Sequence, residues 1–237
     1  MYIEDIESEE GEGMNYLLYA IITIVIFGLM IIFYKLLNKD GLYLYLGLIS
    51  SILGVICIGS VDIFLFKESI SIPLIVGLFI CSNIIIQRYG LDEVERILYS
   101  VGFSFSLPII IVGLVSLTGK YGYNVLSNDI YDELFGYGFN NIRCIIGNII
   151  SIIFMIWIGS GMYYSIKKSK NNLILSNLTT AFVIFFIESI VFIMITSLGN
   201  FKAVELFGMM SVRYIMEIII SVLGIIPAYF LVKFVDR

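Results

Sequence analysis

The chain contains no histidine among its 237 residues. Without an imidazole, Ser-His nucleophilic catalysis, zinc proteolysis of the HExxH type and most other metal sites are excluded. No GxxxxGK[ST] loop occurs, so that route to ATP hydrolysis is missing too. The cysteines lie in apolar runs without CxxC spacing, which indicates neither a disulfide framework nor a zinc site; they are Cys57, Cys81 and Cys144. We therefore expect no enzymatic activity, no metal and no cofactor.

Charge is also scarce, because only 14% of the residues are charged whereas 59% are hydrophobic. A soluble domain has about 45–50% apolar residues. The apolar runs are long enough to cross about 30 Å of hydrocarbon as helices, and they are continuous rather than alternating, which excludes a β-barrel. The net charge of −5 gives no basic surface for nucleic acid. The composition therefore predicts an all-α polytopic membrane helix bundle surrounded by lipid.

The order of the runs predicts one transmembrane domain over residues 15–237, after an acidic tail at 1–14 that we expect to be disordered. Seven membrane spans are predicted, at about 15–36, 42–60, 71–88, 95–118, 142–165, 173–197 and 209–233. In the second span, small residues at four-residue spacing favour close helix contact, either inside the bundle or with another subunit. These residues are Gly47 with Ser51 and Ser50 with Gly54.

The distribution of basic residues between the spans predicts the orientation. Nine Lys and Arg residues share one side, and only Lys67, Lys120 and Lys202 lie on the other. Positive residues are retained on the cytoplasmic side. The pattern thus predicts a multi-pass plasma-membrane protein with its N-terminus outside and its C-terminus in the cytoplasm. The external loop 119–141 contains NDIYDELFGYGF, which is interpreted either as an amphipathic helix or as a plain surface loop.

Four ionisable side chains fall within the predicted spans, and such residues are candidate functional groups because burying them in lipid is costly. They are Arg143, Glu188, Arg213 and Glu217, and the orientation places all four in the outer half of the membrane. Arg213 and Glu217 are spaced to pair with each other within one helix, and Arg143 is able to reach the interface. Glu188 has only Ser189 as a local partner, so it is a candidate to bind a proton, a cation or an amidine-like ligand.

Amides and one indole form a second set of candidates. Asn148 and Asn177 are predicted to supply hydrogen-bond donors to a ligand, and Trp157, the only tryptophan, to stack on a flat one. Asn83 and Gln87 are predicted to make polar contacts between helices or to line an inner gate. The alternatives are that Trp157 is a packing residue and that the amides join helices or cap their ends.

Several of these residues belong to longer motifs. In SNIIIQRYGLDEVERILYSVGF, Asn83 and Gln87 precede a Tyr-Gly corner and a helix containing Gly102-Phe103. The fifth span opens with NNIR, and the sixth reads NLTTAFVIFFIESIVFIMITSLG. The whole resembles the vitamin uptake transporter family, also described as queuosine precursor transporters, whose third-span signature is D-I-x-x-E-x-Y-G. The positions matching the family are Tyr89, Gly90, Gly102, Phe103, Arg143, Asn177, Ser189, Phe192 and Gly199.

The resemblance implies a six-helix core similar to the substrate-binding components of energy-coupling-factor transporters, plus one N-terminal helix. It also implies uptake of 7-cyano- or 7-aminomethyl-7-deazaguanine, whose N1–H and 2-amino group would donate to Glu188. A second copy of the chain and an energising module are the candidate protein partners. The chain departs from the family where Asn83 and Gln87 replace acids and Glu188 replaces Asp. The alternative is therefore a non-transporting structural or partner-binding homologue whose pocket has decayed.

Overall fold

The bundle consists of long helices joined by short connections. The computed structural model describes residues 2–57, 60–63, 66–117, 139–170 and 172–234. The helices within these ranges are α1 (Tyr2–Ile56), α2 (Ile72–Tyr89), α3 (Val94–Leu117), α4 (Phe139–Lys170), α5 (Leu173–Ser197) and α6 (Ala203–Phe234). Each of the six is long and apolar enough to cross a membrane. The prediction of a helical, multi-pass membrane protein is confirmed at this level.

Helix α1 is interrupted at Asn38, which has φ 51° and ψ −123° and lies outside the helical region. Gly41 is required just beyond this break, because a Cβ at that position would lie 2.0 Å from the carbonyl oxygen of Phe33. Ile26 and Tyr45 lie on opposite sides of the break, yet both contact the same place on α2. A Cβ at Gly77 would lie 2.7 Å from Ile26 and 2.5 Å from the Tyr45 hydroxyl. Helix α1 covers the predicted span 15–36 and most of the predicted span 42–60.

A short antiparallel hairpin follows α1, with β1 (Ser60–Ile63) paired to β2 (Phe66–Ser69). The prediction that the second span continues helically to residue 60 is wrong, since α1 ends at Ile56. Apolarity alone does not separate the end of a helix from a β-branched segment such as SVDI, which favours a strand. The Tyr19 hydroxyl donates a hydrogen bond to the Ser69 carbonyl and ties this hairpin to the first part of α1.

Two helices, α1 and α6, begin earlier in the chain than the predicted spans do. Helix α1 begins at Tyr2, before the predicted first span. Helix α6 begins at Ala203 rather than 209. A hydropathy pattern marks only the part of a helix that lies in hydrocarbon, whereas backbone hydrogen bonding continues beyond it. The helix predicted for NDIYDELFGYGF lies outside the described residues.

Helix α2 is the centre of the bundle, because residues 72–86 are all buried and it packs against α1, α4 and α6. Helix α5 lies between α4 and α6. The second part of α1 packs closely on α3: a Cβ at Gly54 would lie 2.5 Å from the carbonyl oxygen of Phe105, and the Ser51 hydroxyl donates to the Ser104 carbonyl at 3.0 Å. The small residues of the second span thus serve a contact inside the bundle.

Candidate functional site

Three charged side chains of α5 and α6 form what we call the outer ion cluster: Glu188, Arg213 and Glu217, each with no exposed surface. The guanidinium of Arg213 donates two hydrogen bonds to the carboxylate of Glu188, from Nη2 to Oε1 at 2.8 Å and from Nε to Oε2 at 3.1 Å. This fork geometry is the strong form of an Arg–carboxylate pair. It joins two helices inside the bundle.

Glu217 is the third member of the cluster and lies one turn after Arg213 on α6. Its Oε1 is 3.3 Å from Nε of Arg213, but that N–H is directed to Glu188, and no described group donates a hydrogen bond to this oxygen. Its Oε2 accepts a hydrogen bond from the Ser189 hydroxyl at 3.1 Å. The carboxyl groups of Glu188 and Glu217 thus approach the same nitrogen, since Nε of Arg213 is 3.1 Å from Glu188 Oε2 and 3.3 Å from Glu217 Oε1. Glu217 therefore retains an acceptor oxygen that a ligand or a proton can satisfy.

The walls around the cluster come from α4 and α5. The Arg213 guanidinium lies 3.8 Å from the ring centroid of Phe192, a cation–π contact in a desolvated place. Ser151 of α4 is buried, and its hydroxyl donates to the Asn148 carbonyl at 3.2 Å. Asn148, one turn earlier on α4, is buried and donates to the Cys144 carbonyl, while its own Oδ1 has no partner among the described residues. Two buried acceptor oxygens, Glu217 Oε1 and Asn148 Oδ1, thus have no hydrogen-bond partner among the described residues.

The depth of Arg213 differs from the sequence-based expectation. Counting from residue 209 predicts that Arg213 lies near the outer surface, above Glu188. Because α6 begins at Ala203, Arg213 lies ten residues into the helix, about 15 Å along its axis. The two hydrogen bonds between Arg213 and Glu188 show that the guanidinium is level with this carboxylate.

Arg143 lies apart from the outer ion cluster. It is half-buried, and its Nε and Nη2 donate to the carbonyl oxygens of Ile195 and Leu198 at 2.9 and 2.8 Å. These carbonyls end α5, where the last C=O groups of a helix have no partner within it and where a cation is favourable. The hydrogen bonds from Arg143 to these two carbonyls therefore cap the C-terminal end of α5.

Trp157 and Asn177 also lie away from the cluster. Trp157 is on the outer face of α4 with 64% of its surface exposed, so in a membrane its ring contacts lipid rather than the buried charges. Asn177 is eleven residues before Glu188 on α5, about 16 Å along the helix. Hydropathy does not show which face of an apolar helix points into the bundle. The position of Trp157 and Asn177 within their spans therefore does not distinguish them from residues of the outer ion cluster.

Asn177 instead belongs to a second polar group, the inner amide cluster, formed by Asn83, Gln87, Tyr163 and Asn177. Asn83 donates to Oδ1 of Asn177 at 2.9 Å, and the Tyr163 hydroxyl donates to Oε1 of Gln87 at 2.5 Å. The cluster therefore connects α2 with both α4 and α5. Asn83 and Gln87 thus make hydrogen bonds between helices. Tyr163 could not be predicted, because the sequence does not show whether a tyrosine in an apolar run only packs or also forms a hydrogen bond.

An apolar layer separates the two polar clusters. Phe185, one turn from Glu188, packs edge to face on Phe79 of α2, with ring centroids 4.9 Å apart. Gly159 of α4 allows this approach, since a Cβ there would lie 3.4 Å from Phe79 and 3.1 Å from Ile184. Along α5 the bundle interior thus contains a neutral amide level at Asn177, an aromatic level at Phe185 and a charged level at Glu188.

A groove of about 290 Å³ reaches the outer ion cluster from the side, between α5 and α6. Its walls are apolar, including Phe186 and Phe207, and Ser189 lies at its base. Since the Ser189 hydroxyl donates to Glu217, a single residue separates this groove from the buried carboxyl groups.

No family model, curated protein or solved structure matches the chain. The class of protein defined by the fold and the site is a multi-pass helical membrane protein with a buried ion cluster within its bundle.

Proposed function

We propose that the chain is a seven-span plasma-membrane transporter that takes up a small heteroaromatic solute, 7-cyano- or 7-aminomethyl-7-deazaguanine. The observation that carries the proposal is the outer ion cluster, in which Glu188, Arg213 and Glu217 have no exposed surface in the middle of apolar helices. Replacing a buried ion pair by apolar residues is often neutral or stabilising. A buried intramembrane charge group is therefore better explained by ligand handling than by stability.

The seven-span topology is supported by the break in α1. Ile26 and Tyr45 contact the same glycine of α2 from opposite sides of Asn38, as expected if the two parts of α1 run antiparallel across the membrane. With α2 to α6 this gives seven crossings. The proposed orientation has the N-terminus outside and the C-terminus in the cytoplasm, because the basic residues are concentrated at one set of helix ends.

The unsatisfied atoms of the site suit a deazaguanine. The donors on its N1 and 2-amino group need acceptors, and Glu217 Oε1 and Asn148 Oδ1 are buried acceptors with no donor bonded to them among the described residues. Because Glu188 is engaged by Arg213 through both oxygens, the proposed recognising carboxylate is Glu217. A solute that lacks the donor edge leaves these oxygens unpaired, which provides selectivity.

The alternation of polar and apolar levels supports translocation. A solute released from the outer ion cluster would pass the Phe79 and Phe185 rings and meet the inner amide cluster next, which offers neutral hydrogen-bonding groups. We propose that these rings form the barrier between the outer and inner sites, since a membrane transporter must keep the two sides separate in each state.

One observation favours the alternative of a non-transporting structural homologue. Both oxygens of Glu188 are hydrogen-bonded by Arg213, an arrangement that also suits a fixed link between α5 and α6. Under that alternative, Glu217 has no solute to bind.

Uptake of labelled 7-cyano-7-deazaguanine by cells unable to synthesise it tests the proposal. We expect accumulation above empty vector with the wild-type chain, and about a tenfold or greater loss with Glu217→Gln, because the amide lacks the negative charge and has one acceptor oxygen where the carboxylate has two. The matched control is Glu205→Gln at the exposed start of α6, which retains uptake. Uptake by wild type that equals empty vector contradicts the proposal, provided that the protein is present in the membrane.

A further inference from the structure

The outer ion cluster contains an unequal number of charges of the two signs. Two carboxyl groups, on Glu188 and Glu217, face a single guanidinium, on Arg213, and all three side chains are fully buried. If both carboxyl groups are ionised, the cluster carries one uncompensated negative charge in a low-dielectric interior, which costs several kcal/mol. One additional positive charge is required for balance.

Among the described residues, no neighbouring cation supplies that charge. Arg143 of α4 is committed to the carbonyl end of α5, and Cys144 beside it carries no positive charge. On α2 the charged side chain is Arg88, which donates to the Leu231 carbonyl, about 21 Å along α6 from Glu217. From Tyr16 to the end of α1, the charged residues are Lys35, Lys39 and Asp40, and all three lie within three residues of Asn38. On α5, Glu188 is the one charged residue.

The geometry identifies where the balancing charge belongs. The two carboxyl groups flank one nitrogen, Nε of Arg213, at 3.1 Å for Glu188 Oε2 and 3.3 Å for Glu217 Oε1, and two ionised carboxylates so placed repel each other. Glu217 Oε1 is buried without a described hydrogen-bond donor. A proton on one carboxyl group would turn the repulsion into a hydrogen bond and make the cluster neutral.

We propose that Glu188 and Glu217 together hold one exchangeable proton, and that this proton is the ion coupled to solute uptake. The proton comes from water and converts one carboxylate to a carboxylic acid, and its release restores the carboxylate. The coupling role rests on the proposed function, because a proton bound outside and released inside can drive inward movement of the solute. The shared proton itself rests only on the geometry of the cluster.

Infrared spectroscopy of the purified full-length protein tests the shared proton without any solute. A protonated carboxyl group has a C=O absorption that is separate from that of a carboxylate and that shifts when H₂O is replaced by D₂O. Exposed carboxyl groups are ionised at neutral pH and do not contribute. We expect one such band at neutral pH in the wild type.

The variants give the distinguishing result. Glu217→Gln and Glu188→Gln each leave one carboxylate and one guanidinium, a neutral set that needs no proton, so both substitutions abolish the band. A band that comes from a carboxyl group outside the cluster survives both substitutions. Glu93→Gln is the control, because Glu93 is paired with Lys39 at 2.8 Å and its removal leaves the band unchanged.

A wild-type protein without the band overturns the inference, and stabilisation by Na⁺ in that case assigns the balancing charge to a metal cation. A band that survives in either cluster variant also overturns it. Monodisperse elution of each variant establishes that it is folded. Loss of solute uptake with the band intact refutes the proposed transport function and leaves the proton site standing.

Discussion

Removal of Arg213 tests the physical basis of the site. Its guanidinium makes two hydrogen bonds to Glu188, contacts Glu217 at 3.3 Å and lies 3.8 Å from the Phe192 ring. Arg213→Gln leaves two buried carboxyl groups with no cation. Breaking a buried ion pair from one side costs about 3–5 kcal/mol, which corresponds to a change of roughly two to four powers of ten in the unfolding equilibrium constant.

Reversible unfolding in mixed detergent micelles measures this loss at neutral pH. The control is Arg96→Gln, because Arg96 is 70% exposed and 3.5 Å from Glu93, so its removal costs at most about 1 kcal/mol. The destabilisation by Arg213→Gln is expected to shrink in acid, where the stranded carboxyl groups bind protons and lose their charge. A variant within about 1 kcal/mol of wild type at neutral pH refutes the idea of a desolvated, mutually dependent ion cluster.

Two further predictions concern packing and the inner cluster. Gly54→Ala places a Cβ 2.5 Å from the Phe105 carbonyl oxygen and should lower the unfolding free energy by about 1–3 kcal/mol. The control is Gly28→Ala, whose Cβ meets nothing within 4 Å and which should not lower the unfolding free energy. Equal effects of the two substitutions in the same unfolding assay would disprove the close contact of α1 with α3. Asn83→Ala removes the donor to Asn177 and should cost about 0.6–1.7 kcal/mol; no loss would show that this hydrogen bond contributes nothing.

The sequence was sufficient to predict the helical, multi-pass membrane class. Apolar runs report directly on transfer into hydrocarbon, so the predicted span 173–197 coincides with α5. The same signal does not detect where backbone hydrogen bonding stops. The predicted second span ends at residue 60, where a strand begins, whereas α1 ends at Ile56, and the predicted last span begins six residues after the start of α6.

The candidate site could be predicted only in part. Glu188, Arg213 and Glu217 were identified because charge in an apolar run is unusual, and this signal does not depend on helix orientation. Trp157 is a candidate because of its position within a span. Its 64% exposure, however, depends on which face of α4 points into the bundle. The pairing of Arg213 with Glu188 could not be predicted from the sequence. It depends on how α5 and α6 pack, and no sequence spacing relates residues of two different helices.

Binding of the proposed solute to the purified protein tests the central claim most directly. The account predicts that 7-cyano-7-deazaguanine raises the melting temperature of the wild-type chain in a concentration-dependent way, and that Glu217→Gln abolishes the shift while Glu205→Gln keeps it. A wild-type chain whose melting temperature is unchanged at every solute concentration would contradict the account and favour a structural role for the buried ion cluster.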